Sequence, residues 1–229
     1  MFAQSIAAHG DVLEEWYPAE EPVPPRTGHD AVMVFGGAMN ADQEDRHPWL
    51  RREKELLGEL AAAGVPLLGV CLGAQLLAEG AGGQARRTSE PEIGWRDVTL
   101  EPAAAGDPVL GALPDRFHSF QWHSYEAVPP PGATVLARSA VCAQAYRLSG
   151  LPVWGIQFHA EVTLETAHGW IDSYGTDLDA AGIDPVAFAA EIRRAIDGWN
   201  EIGLGLCERF LEVAAAARPA AGIEGAGRG

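Results

Sequence analysis

Cys71, His159 and Glu161 are the residues of this chain whose types and settings suit nucleophilic catalysis. Cys71 lies in Gly69-Val70-Cys71-Leu72-Gly73, with a glycine two residues to either side. That is the spacing of a nucleophile elbow, where a strand turns sharply into a helix and only glycine leaves room for the turn. The geometry lifts the thiol out of the sheet's carboxyl edge and aims a helix N-terminus at it, which favours thiolate. A thiolate also needs a base within hydrogen-bond reach, and the base needs a third group to hold its tautomer. His159 and Glu161 stand together in Gln157-Phe158-His159-Ala160-Glu161, directly after an apolar run. A histidine at a strand's carboxyl end sits on the edge where open α/β folds bind ligands. Gly36-Gly37 adds backbone N–H donors of the kind a tetrahedral oxyanion requires. Each feature alone has an ordinary explanation, as a buried thiol, a loop histidine, a surface carboxylate or a turn. Their combination points to acyl transfer.

The elements that must position these groups can be read in order. Phe2 to His9 is a short amphipathic helix closed by Gly10, and Val12 to Tyr17 reads as a strand. Glu20 to Arg26, with its prolines, is a loop, and Asp30 to Phe35 is an apolar strand running into Gly36-Gly37. Trp49 to Ala63 carries Leu50, Leu56, Leu57 and Leu60 at helical spacing and stops at Gly64. Pro66 to Val70 is a strand buried on both faces, followed by the elbow and its helix. After Gly82-Gly83 come closely spaced strands at Ile93–Glu101, Arg116–Trp122, Ala133–Arg138, Ala143–Leu148 and Val153–Phe158. Helices at Thr163–Tyr174 and Pro185–Ala217 close the chain, the second open to a break at Gly203 and Gly205. The order predicts an α/β fold, an open, mostly parallel sheet flanked by helices, with an antiparallel extension. Residues 1–217 form one domain, and 218–229 are a small-residue tail expected to fray.

Composition narrows the function further. A formal net charge of −16 argues against nucleic acid or an anionic membrane as partner. Cys71, Cys142 and Cys207 are an odd, sparse set without a C-x-x-C pair, which speaks against a disulfide scaffold or zinc site and for a reducing compartment. No signal peptide or membrane-length apolar run is visible, so the expected location is cytoplasmic.

At this point the chain resembles a known family. Phe35-Gly36-Gly37-Ala38-Met39, Gly69-Val70-Cys71-Leu72-Gly73-Ala74-Gln75 and Ile156-Gln157-Phe158-His159-Ala160-Glu161 look like the signatures of class I (triad) glutamine amidotransferases. Glu92-Ile93-Gly94-Trp95 and Gln121-Trp122-His123 are similar to stand-alone members that resemble the amidotransferase domain of GMP synthetase. The resemblance implies a flavodoxin-like sheet, Cys71 as nucleophile, His159 as base and then acid, and Glu161 as the orienting carboxylate. It implies an oxyanion hole from the N–H groups of Gly37 and Leu72, and a substrate held by Gln75, Gln121, Trp122 and His123. Ala38 stands where the family often has proline, and no synthetase domain follows the triad.

The expected activity is cleavage of the γ-amide of glutamine or of a γ-glutamyl compound through a thioester, without metal or organic cofactor. Alternatives are a glutaminase subunit feeding ammonia to a separate synthetase, a γ-glutamyl peptide hydrolase, and a non-catalytic module on the same fold. One further expectation concerns the start of the chain. Folds of this kind open with an apolar strand inside the sheet, whereas Met1-Phe2-Ala3-Gln4-Ser5-Ile6 already reads as helix. Either the native start lies upstream, or Val12 to Tyr17 fills that slot.

Overall fold

The computed structural model describes residues 1–21 and 28–218. Most of the expected loop at 20–26 and nearly all of the expected tail, from 219 on, lie outside the described residues. Helix α1 (Phe2–His9) ends on Gly10 at φ 89°, whose N–H caps the carbonyl of Ala7. Val12 to Tyr17 is not a strand. Val12 and Leu13 are 86% and 44% exposed, and no described strand pairs with the segment.

The sheet has seven strands among the described residues, in the order β1-β2-β7-β6-β5-β3-β4. Strands β1 (Val32–Val34), β2 (Leu67–Val70) and β7 (Val153–Ile156) run parallel. Strands β6 (Ala143–Arg147), β5 (Thr134–Arg138), β3 (Gln84–Leu100) and β4 (Arg116–Val128) continue it antiparallel. Both the parallel core and its antiparallel extension are therefore present. β3 and β4 are longer than periodicity suggests because they pair with each other along nearly their whole length, from Gln84–Val128 to Thr99–Arg116. Strand β1 stands at the edge, and no described strand pairs with its other side.

β2 is buried at all four positions, as its unbroken apolar run requires. Helix α2 (Trp49–Ala62) turns Leu50, Leu57 and Ala61 inward and stops before Gly64 at φ 74°. Helix α3 (Leu72–Gly80) follows Cys71, packing against α2 and β2. Past β7 come α4 (Leu164–Ser173), capped by the Thr163 side chain, and a short helix α5 (Gly175–Ala181) that periodicity did not separate. Helix α6 (Pro185–Ala217) begins with Asp184 accepting from the Val186 amide and Pro185 in its first turn. It runs unbroken through Gly203 and Gly205, because tertiary packing decides that region. A Cβ at Gly203 would lie 2.0 Å from the Ala160 carbonyl oxygen, so glycine here is a point of close helix approach and not a helix stop.

Candidate active site

The elbow is built by close backbone contact. A Cβ on Gly69 would lie 2.6 Å from the Gly73 carbonyl oxygen, and one on Gly73 would lie 2.2 Å from that of Val34. Both glycines are thus required for α3 to start so near β1 and β2. Cys71 between them has φ 52° and ψ −109°, the sole positive φ outside glycine among the described residues. Such a conformation costs about 1–3 kcal/mol and persists because its surroundings dictate it. The Cys71 amide donates to the Ile156 carbonyl at 2.8 Å, which ties the elbow to the end of β7. Cys71 is 6% exposed, so the thiol is more covered than an elbow on an open edge suggests.

His159 follows β7 and is buried, its amide donating to the Phe120 carbonyl at 2.9 Å. Its Nδ1 is 2.8 Å from Glu161 Oε1, and because an ionised carboxylate only accepts, Nδ1 carries the hydrogen. The contact with Cys71 therefore falls to Nε2. Burial disfavours the imidazolium, but the charges of Cys71 and Glu161 and their hydrogen bonds outweigh it, holding the His159 pKa well above its ordinary value. Trp170 packs edge-on against the imidazole at 4.7 Å between ring centres. Gly36 lies beside both side chains: a Cβ there would be 3.0 Å from His159 Cε1 and 3.6 Å from Cys71 Cβ. Gly37 abuts the Leu72 side chain, its would-be Cβ 3.0 Å from Leu72 Cδ2, so the two amides assigned to the oxyanion hole belong to touching residues.

The remaining residues separate into two groups. The Trp122 carbonyl lies 4.0 Å from Cys71 Sγ, and the Trp122 indole donates to Asp177 at 3.2 Å. The Gln75, Gln121 and His123 side chains are buried and engaged elsewhere. Gln75 donates to the Tyr125 carbonyl, Gln121 to Ser119 and Gln144, and His123 contacts the Tyr125 carbonyl and Glu92. Adjacent side chains of a strand point to opposite faces, which separates Trp122 from its neighbours. Trp170, Tyr174 and Asp177, which sequence reading did not single out, come to the site on α4 and α5 beside Trp122. Their signal was weak: aromatic and acidic residues on a helical stretch read as ordinary amphipathicity.

A second Cys/His/Glu group is separate from this triad and buried, with Glu92 on β3, His123 on β4 and Cys142 directly before β6. Burial and the nearby Glu92 push the Cys142 thiol far up, and burial raises Cys207 to about 12, so neither is poised as a nucleophile.

Comparison with known proteins gives the family. The family model for glutamine amidotransferase class-I matches residues 5–172. The chain belongs to that family. A glutamine amidotransferase-like protein of Salmonella typhimurium, YfeJ, is 31% identical over 80% of this chain and 77% of its own length. One subunit of the glutamine-hydrolysing GMP synthase of Saccharolobus solfataricus is 33% identical over 65% of this chain and 76% of its own. A glutamine amidotransferase of Thermotoga maritima superposes with a TM-score of 0.80 at 28% identity, covering 93% of this chain and 91% of that one. Among the described residues of this class I amidotransferase, no helix is long and apolar enough to cross a membrane.

Proposed function

We propose that this class I amidotransferase hydrolyses the γ-amide of glutamine or of a γ-glutamyl compound, with Cys71 as nucleophile. The observation that carries the reading is the strained Cys71 beside a buried histidine that Glu161 orients at 2.8 Å. Sγ attacks the amide carbon, the S–C bond forms, and the oxyanion is received by the N–H groups of Gly37 and Leu72. The imidazolium gives its proton to the leaving nitrogen, the C–N bond breaks, and ammonia or an amine departs. Water then attacks the thioester, His159 takes its proton, and the thiolate is restored as glutamate leaves. Trp122, whose carbonyl faces the sulfur, is the member of the Gln121-Trp122-His123 run that borders the substrate most directly. Gln75, Gln121 and His123 act on the substrate through the strand and helix they hold.

Similarity to a GMP synthase subunit favours a second reading, in which the ammonia passes to a separate synthetase. A substrate screen separates the two. Glutamine, γ-glutamyl amides and γ-glutamyl peptides are compared by released ammonia and glutamate, with Cys71→Ala as blank. Strong turnover without a partner supports a stand-alone hydrolase, whereas weak turnover that rises with an added synthetase supports the ammonia-passing reading. No turnover above the blank in either setting rejects both.

A further inference from the structure

Strand β4 meets the active site through three of its carbonyls. That of Phe120 accepts from the His159 amide at 2.9 Å. That of Trp122 lies 4.0 Å from Cys71 Sγ, and that of Tyr125 accepts from Gln75 Nε2 at 3.0 Å, one helical turn past Cys71. The strand therefore sets where the thiol, the histidine and the first turn of α3 stand relative to one another.

The same stretch is gripped from its other face. His123 Nδ1 lies 2.9 Å from the Tyr125 carbonyl, which can only accept, so Nδ1 carries the hydrogen. Nε2 then faces Glu92 Oε2 at 3.4 Å, a close polar contact without an aligned hydrogen bond. Glu92 stands opposite His123 in the β3–β4 register, and the two side chains are 3% and 2% exposed. Glu92 Oε2 also receives Ser139 Oγ at 3.0 Å and Gln144 Nε2 at 2.8 Å. Gln144 Oε1 in turn accepts from Gln121 Nε2 at 2.7 Å, which closes the network back onto β4.

Strand pairing needs no such network, and a buried ionic group is weak evidence for stability because its desolvation opposes its attraction. What these groups share is attachment to the segment that touches the triad. We propose that His123, clamped between Glu92 and the Tyr125 carbonyl, is a positioning residue that sets β4 against the nucleophile elbow. The inference rests on the reading of Cys71 as the nucleophile for a γ-glutamyl substrate. Glu92, His123 and Cys142 also present ligand-type atoms within 4.8 Å of one another, as a metal would need. The Gln144 amide nitrogen, 2.8 Å from Glu92 Oε2 and 3.3 Å from Cys142 Sγ, takes up that corner, and an amide nitrogen is a donor with no lone pair to offer a metal.

His123→Ala, His123→Asn and His123→Gln test the proposal. Asparagine places an N–H where Nδ1 was and can keep the Tyr125 bond, while glutamine reaches toward Glu92 and cannot. Cys71 is alkylated with iodoacetamide, which needs only the thiolate, and with a glutamine chloroketone, which also needs the substrate site in register. In the alanine and glutamine variants the chloroketone rate should fall about tenfold or more while the iodoacetamide rate changes by less than about twofold, and asparagine should restore most of the loss. Hydrogen exchange at residues 120–125 should quicken in the same two variants and stay slow in the asparagine variant. If alanine does not fold, the asparagine–glutamine pair carries the comparison. Equal behaviour of asparagine and glutamine in both readouts would overturn the proposal. So would a chloroketone rate unchanged in the glutamine variant, or one zinc per chain in the parent that is lost in Cys142→Ser. A parent that neither hydrolyses glutamine nor takes the chloroketone rejects the functional reading alone, and the exchange pattern still decides the positioning.

Discussion

Trp199 donates its indole N–H to the backbone carbonyl of His159 at 2.8 Å, across forty residues of sequence. The proposed base is thus held from α6 as well as from β7. Four residues on, Gly203 brings the same helix against the Ala160 carbonyl. A single face of α6 fixes the chain that carries the histidine and its carboxylate.

Two glycines of α6 should respond oppositely to alanine. Gly203→Ala drives a methyl into the Ala160 carbonyl and should lower both the thermal midpoint and kcat/KM. Gly205 meets only the end of Arg209 at 3.6 Å, so Gly205→Ala should stabilise by about 0.5–1 kcal/mol through helix propensity alone. Thermal melts with matched kinetics check both, and equal effects would remove the packing argument.

Cys71→Ala should abolish glutamate release and keep the fold, and a glutamine chloroketone should add one increment at Cys71 and none at Cys142 or Cys207. Strain adds a second expectation. Cys71→Gly should be more stable than Cys71→Ala by about 1 kcal/mol, because glycine accepts φ 52° freely. Chemical denaturation of the two variants measures the difference.

Glu161→Gln should reduce kcat/KM by about 10²- to 10⁴-fold, the range over which an orienting carboxylate acts. The sign of the pH effect follows from His159. Cys71 and Glu161 raise its pKa against burial, so removing one negative charge lowers it again. The alkaline limb of the kcat/KM profile should move to lower pH. A limb that stays in place would show that Glu161 does not support the imidazolium.

Glu53, on the inner face of α2, is 7% exposed, and burial raises its carboxyl to about 7. The folded value lies above the unfolded one, so burial disfavours the ionised form. Stability is fullest below about pH 4.5 and is lost as pH rises through 7. Glu53→Gln should flatten that slope and be the more stable protein at pH 8 by about 2–3 kcal/mol. Denaturant midpoints at several pH values test it, and parallel curves would refute it.

The sequence alone determined the groups whose spacing is local. The two glycines around Cys71 encode the elbow because the turn needs backbone room within five residues. His159 and Glu161 lie two residues apart, close enough for a direct contact. The short apolar run Pro66 to Val70 has the length and composition of a strand buried on both faces, and β2 is one. Tertiary structure decided what depends on distant partners. Val12 to Tyr17 has strand-like composition but pairs with no described strand, so composition could not settle its state. Gly203 looked like a helix break and is a helix contact, since its neighbour, Ala160, lies on another element. The direction of each side chain in Gln121-Trp122-His123 was also hidden. Alternation along β4 puts Gln121 and His123 into a polar interior closed by Glu92 and Gln144, while Trp122 turns toward α4 and α5. Register between strands is set by side chains packing across the sheet, and no local run of residues records it.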